Sequence, residues 1–203
     1  MRYYIADLHF YHEALIDKMD KRGFADVEDM NEYMIRRWND RVRKNDEVVI
    51  IGDFSFGGAV ETNAILDRLK GRKYLITGNH DRFLRYRRMD ETHFEWIKPY
   101  EEMHDEGRKV ILCHYPILFY NGQYKLDSEG NPRTYMLYGH VHDTHDERLI
   151  SEFEKQIRST VVTSIQGDDR NIPCNMINCF CGYVDYEPKT LNEWIELTRM
   201  RRD

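Results

Sequence analysis

The sequence predicts an α/β sandwich. Five short apolar segments have the β-branched and aromatic content of buried strands, helix-periodic stretches lie between them, and a polar, metal-capable residue follows each segment directly or after one glycine. Strands that alternate with helices imply layers of helix packed on sheet.

The first strand covers residues 3–6 and runs straight into Asp7. Asp26 then stands as a candidate N-cap. In the helix behind it, Met30, Tyr33, Met34, Trp38 and Val42 fall near helical spacing, with Glu32, Arg36, Arg37 and Asp40 mostly on the other side. The second strand, residues 48–51, ends at Gly52-Asp53. A second helix is expected over residues 59–70 and is closed by Gly71. The third strand, 74–77, delivers Gly78-Asn79-His80-Asp81, the fourth, 110–113, delivers His114, and the fifth, 135–138, delivers Gly139-His140-Val141-His142. Residues 147–158 carry a third helical stripe of Leu149, Ile150, Phe153 and Ile157. Trp38, Trp96 and Trp194 are expected in the core.

Two segments, 120–133 and 166–173, are rich in turn residues and read as insertions between elements. The first lies between two candidate ligand segments, so it is expected to wall the cleft.

Bulk properties narrow the function classes. A chain of 203 residues suits one domain with a full core, and 41% hydrophobic with 33% charged residues is an ordinary globular composition. No apolar run approaches a membrane span and no signal-peptide pattern opens the chain, so a cytoplasmic protein without membrane partners is expected. A net charge of −6 with interspersed signs argues against gripping long nucleic acids by a basic surface. Cys113, Cys174, Cys179 and Cys181 match neither a disulfide-scaffold nor a paired zinc spacing, and buried free thiols are expected. Cys179 and Cys181 alternate on an expected strand and would share a face. A redox or structural-metal role for Cys174, Cys179 and Cys181 is the minor alternative.

The chemistry is concentrated at the C-terminal ends of the expected strands. Loops at that edge of an α/β sheet converge from several elements at once. Asp7 with His9, and His140 with His142, are two apart, a spacing that aims both side chains at one point on an extended chain. Gly52, Gly78 and Gly139 permit tight turns and close backbone approach. Imidazole nitrogens, carboxylates and one amide oxygen suit Mn, Fe, Zn or Ni better than Ca or Mg. Two carboxylates and four histidines exceed what one open metal site uses, so two metal ions are the economical expectation.

Asp7-x-His9, Gly52-Asp53, Gly78-Asn79-His80-Asp81, His114 and Gly139-His140-x-His142 resemble, in order, the signature of the calcineurin-like metallophosphoesterases. His9-Phe10-Tyr11-His12, Arg37-Trp38-Asn39, His114-Tyr115-Pro116 and Tyr186-Glu187-Pro188-Lys189-Thr190-Leu191 are similar to a small prokaryotic and phage branch of that superfamily. The resemblance implies a four-layer α-β-β-α sandwich. It implies that Asp7, His9 and His142 hold one metal, that Asn79, His114 and His140 hold the other, and that Asp53 bridges them. The chain departs from that branch in the two insertions and in the Cys174–Gly182 stretch, which touch no ligand and bear on substrate choice.

Two divalent ions at such a site acidify a shared water enough to supply hydroxide near neutral pH. His80 is then expected to act as general acid on the leaving oxygen, with Asp81 orienting its ring and favouring its protonated form. His12 is a candidate substrate-contacting or supporting residue. Arg82 is a candidate phosphate contact, or else part of a solvated face with Arg85, Arg87 and Arg88. The expected activity is hydrolysis of phosphomonoesters or phosphodiesters of small or nucleotide-like substrates. The alternatives are a nuclease acting on DNA or RNA and a non-catalytic interaction scaffold.

Overall fold

The computed structural model describes residues 1–165 and 167–202. Its first sheet consists of β1 (Arg2–Ile5), β2 (Glu47–Ile51), β3 (Arg72–Ile76) and β4 (Phe94–Lys98), all parallel and in that order. The second sheet begins with the antiparallel pair β5 (Tyr100–Asp105) and β6 (Arg108–Cys113) and continues through β7 (Thr134–Tyr138). A small antiparallel ribbon of β8 (Val161–Thr163) and β9 (Asp169–Asn171) precedes β10 (Met176–Asn178), which returns to pair in parallel with β7.

Four helices accompany the sheets among the described residues: α1 (Val27–Arg41), α2 (Ala59–Arg68), α3 (His145–Ser159) and α4 (Leu191–Arg202). Asp26 caps α1, its side chain accepting the Asp29 backbone N–H at 2.8 Å. None of the helices among the described residues is long and apolar enough to cross a membrane.

Strand periodicity sets the layers. In β1, Tyr3 and Ile5 face a core that also holds Met30, Met34 and Trp38 of α1 and Ile65 and Leu66 of α2, whereas Tyr4 faces the opposite sheet. In β2, Val48 and Ile50 join the first core while Val49 and Ile51 join Val110, Leu112 and Leu137 between the sheets. On the far side of the second sheet, Ile111, Met136 and Met176 meet Ile150 of α3. The order is therefore helices, sheet, sheet, helix, the four-layer sandwich expected. Each side chain fully buried in these cores contributes ~1.5–3 kcal/mol over exposure. The last helix, α4, closes the sandwich at one edge: Leu191 and Trp194 enter the inter-sheet core, and Trp194 Nε1 donates to the Tyr4 carbonyl at 2.9 Å.

Several expectations need correction. The chain is not extended through Cys179 and Cys181: β10 ends at Asn178, and Cys181 opens a 3-10 turn, so Cys179 lies between the sheets and Cys181 in the first core. All four cysteines are free thiols, three of them buried. Trp96 is only half-buried, against Tyr74 at 5.3 Å between ring centroids, because β4 is an edge strand. The expected insertion 166–173 begins at Gln166, which lies outside the described residues; the rest contains β9.

Candidate metal centre

The parallel strands β1, β2 and β3, with the parallel pair β6 and β7, release their chains toward one place. There the structure brings all seven expected ligands together. The backbone achieves this by abrupt turns: Asp7, His9, Asp53, His140 and His142 have φ between 49° and 73°, half of the ten non-glycine residues with positive φ among the described residues. The extended-chain argument for the two alternating pairs is thus corrected. Left-handed turns, not a strand face, aim these side chains, and each costs roughly 1–2 kcal/mol that the surrounding contacts must hold. Such strain gathers at functional sites.

Close approach explains two of the glycines. A Cβ on Gly78 would overlap the Asp53 carboxylate and backbone N, and one on Gly139 would stand 2.6 Å from Asp7 Oδ2.

The side chains form two adjoining groups, Asp7 with His9 and His142, and Asp53 with His114 and His140; within each, one ligand atom per residue lies within 4.8 Å of the others. His9 Nε2 and His142 Nε2 face each other at 3.2 Å. Asn79 Oδ1 joins the second group, 3.1 Å from His114 Nε2 and 2.9 Å from His140 Nδ1. Asp53 Oδ2 lies 3.5 Å from His9 Nε2 and 3.4 Å from His114 Nε2, between the two groups.

Two rings are fixed from behind. His114 Nδ1 donates to the Ile51 carbonyl at 3.0 Å, which turns Nε2 toward the cluster. His142 Nδ1 donates to Asp20 Oδ1 at 2.8 Å. Asp20 is held in turn by the buried Arg22, which also donates to the Asp7 and Leu8 carbonyls at 2.9 and 2.7 Å. Asn178 Nδ2 donates to the His142 carbonyl at 2.8 Å. Sequence reasoning missed Asp20, Arg22 and Asn178, which no motif spacing connects to the ligands.

The electrostatics are those of a strongly coupled site. Burial raises the Asp7 carboxyl to about 6 despite His142 and His114 nearby. Burial acts the same way on Asp53, but the His114 hydrogen bond and charge overcome it and carry the carboxyl down to about 2. His114 is correspondingly raised to about 9, against burial, by Asp53 and Asp7. Burial pushes His9 well below its ordinary value.

The donor set fits a bound cation. Asp7 Oδ2 and His9 Nδ1 are buried without a hydrogen-bond partner among the described residues, and imidazole nitrogens and carboxylate oxygens converge without a basic side chain between them. That is the ligand chemistry of a first-row transition metal.

Asp81 does not orient the His80 ring. Its carboxylate accepts the backbone N–H groups of Asp53, Phe54 and Gly78 at 3.1, 2.7 and 2.7 Å, tying the loop after β2 to the loop after β3, because a buried carboxylate takes the nearest orphan amides. Burial raises Asp81 to about 6. His80 is held instead by its own backbone N–H, which donates to Asp53 Oδ1 at 2.8 Å, and its ring packs 5.5 Å from His9 and 5.3 Å from Phe56. His12 packs on Phe56 at 4.0 Å and lies 5.5 Å from His9. Arg82, like Arg85, Arg87 and Arg88, is exposed.

A cleft of about 590 Å³ opens over both groups, lined by His9 and His142 of the first, Asp53 and His140 of the second, and by His12, His80 and Met19. Segment 120–133 contributes no lining residue, contrary to expectation: Tyr120 is buried against the outer face of the second sheet, and the hairpin Leu126 to Pro132 closes on itself.

Known proteins share this arrangement of sequence and fold. A family model described as "Calcineurin-like phosphoesterase superfamily domain" matches residues 3–163. An uncharacterized protein of Methanocaldococcus jannaschii is 33% identical over 145 residues, 70% of each chain. A gene 66 protein of Mycobacterium phage D29 is 38% identical over 86 residues, 39% of this chain and 40% of that one. A solved structure of a protein of unknown function from Aquifex aeolicus shares the fold, with a TM-score of 0.61 at 22% identity over 97% of this chain and 98% of that one.

Proposed function

The chain belongs to the calcineurin-like phosphoesterase superfamily, and from that premise we propose that it hydrolyses phosphate esters of small, nucleotide-like substrates with two transition-metal ions. The observation that carries the reading is the place of Asp53, whose Oδ2 lies within 3.5 Å of a histidine nitrogen of each group. Asp7, His9 and His142 would hold one ion, Asn79, His114 and His140 the other, and Asp53 would contact both. Bound there, the ions would supply Lewis-acid stabilisation of phosphoryl charge and an acidified water nucleophile.

The chain's own residues do the rest. Asp7 and Asp53 would set two negative charges against the four of two divalent cations, so a phosphate would still be attracted within an acidic protein. His80 stands at the cleft with Nδ1 buried and without a hydrogen-bond partner among the described residues, which leaves Nε2 to give a proton to the leaving oxygen. Met19, exposed at the cleft, offers the organic part of a substrate an apolar contact, and about 590 Å³ suits a ligand of nucleotide size.

The test is an activity panel on chelator-stripped protein reconstituted with Mn, Fe, Zn or Ni, using nitrophenyl phosphate, its bis ester, cyclic nucleotides and oligonucleotides. Turnover of the small esters is expected. Turnover of oligonucleotides alone would reassign the protein as a nuclease, and no turnover with any of the metals would favour a scaffold.

A further inference from the structure

Away from that cleft, α3 and α4 enclose a second pocket of about 400 Å³ against β10. The two share no lining residue. Four cations line it, Lys155, Arg158, Arg199 and Arg202, against the single carboxylate of Glu154. The whole chain carries −6, so the sign of the field reverses here, and a concave cationic surface gathers anions.

Glu154 is already committed. It is buried, accepts the Met176 backbone N–H at 2.8 Å, and pairs with Arg158 and Arg202, so it braces the two arginines. Lys155 and Arg199 stand exposed at the mouth with no ion pair among the described residues. Deeper in, the Asn175 amide nitrogen and Arg202 Nε are buried donors without a hydrogen-bond partner among the described residues. Pro132 and Ile195, both half-buried, add an apolar surface. Cations and spare donors over an apolar floor make a site for an organic anion.

We propose that this pocket binds a small organic phosphate of up to mononucleotide size. Lys155, Arg158 and Arg199 meet the phosphate, the Asn175 amide donates to the ligand, and the apolar floor takes its organic part. A built-in reporter lies beneath it. Arg202 pairs with Glu147 at 3.4 Å, and Glu147 accepts from Asn178 Nδ2 at 3.0 Å, the same amide that holds the His142 carbonyl.

The experiment uses the full chain stripped of metal, so that its result is independent of the proposed catalysis. AMP and, separately, inorganic phosphate are titrated by calorimetry and by ¹H–¹⁵N NMR. One AMP per chain is expected, bound more tightly than inorganic phosphate, with shifts at the side-chain amides of Asn175 and Asn178. The double variant Lys155→Glu, Arg199→Glu alters two exposed helix positions, keeps its circular dichroism spectrum, and weakens AMP by at least about tenfold. Asp53→Asn, in the other cleft, leaves AMP affinity unchanged. The proposal is overturned by AMP affinity unchanged in the double variant, by its loss in Asp53→Asn, by equal affinity for inorganic phosphate, or by no binding at about 10 mM AMP, roughly tenfold above the ~1 mM dissociation constant of a weak complex.

Discussion

His142 shows how a side chain proposed to hold metal is made ready. Its Nδ1 is bound to Asp20, Asp20 to Arg22, and Arg22 to the carbonyls of Asp7 and Leu8, so one buried cation fixes both a ring and the turn that carries its neighbour. Asp20→Asn keeps the size of the acceptor but removes its charge, and it should weaken metal binding about 10–100-fold. Competition with a chromophoric chelator measures this, and unchanged affinity would deny Asp20 any part in readying the ring. At His80 the prediction concerns chemistry. His80→Ala should cost about 10²–10⁴ in rate on esters with poor leaving groups and much less on nitrophenyl esters, whereas an equal loss on both would deny the ring its role as acid. At this scale the sequence shows which residues meet but not how they are held. The ligands come after strands in recognisable motifs, while Asp20 lies 122 positions from its partner His142 and carries no local mark. Asp81 is misleading for the same reason, since adjacency to His80 says nothing about which way a carboxylate points.

Among the elements, those that are buried on both faces are the ones the sequence displays. The segments before Asp7, Asp53, Asn79, His114 and His140 are continuous apolar runs because helices or the other sheet cover each side. The strands that escape notice are edges or fragments. In β5, Tyr-Glu-Glu-Met-His-Asp forms a charged edge joined to β6 through Glu106 and Gly107, both at positive φ, and β10 has three residues. Helix α4 hides because its burial rests on a few positions, chiefly Leu191, Trp194 and Thr198, among charged residues. Its importance is testable. Trp194 is fully buried between the sheets and hydrogen-bonded to β1, so Trp194→Ala should cost about 3–5 kcal/mol in denaturant unfolding. A loss below about 1 kcal/mol, the scale of an exposed position, would mean that α4 does not close the sandwich.

For the whole molecule, two sheets sharing one edge place carboxylates and imidazoles where each perturbs the others, and protonation is therefore tied to metal binding. In the metal-free protein the His114 value is raised from 6.5 to about 9. Its contribution to folding is complete below the unfolded value and is lost as pH rises through the folded one, so metal-free protein should lose stability between about pH 6.5 and 9. A cation needs the neutral ring, so its apparent affinity should rise across the same window with release of a proton. Calorimetry in buffers of different ionisation enthalpy reads that proton, and metal uptake at pH 7 without proton release would contradict the coupling. The layer order and the meeting of the seven ligands could be foreseen from the order of strands and motifs; the second pocket could not, because its cations come from two helices and acquire meaning only where these pack. Everything proposed for the catalytic cleft depends on one carboxylate, Asp53, joining two metal sites. Titration of chelator-stripped protein with Mn or Zn, read by elemental analysis after dialysis, decides whether it does: wild type should retain two ions per chain and Asp53→Asn fewer, with activity lost in step. One ion in wild type, or two retained by Asp53→Asn, would contradict it.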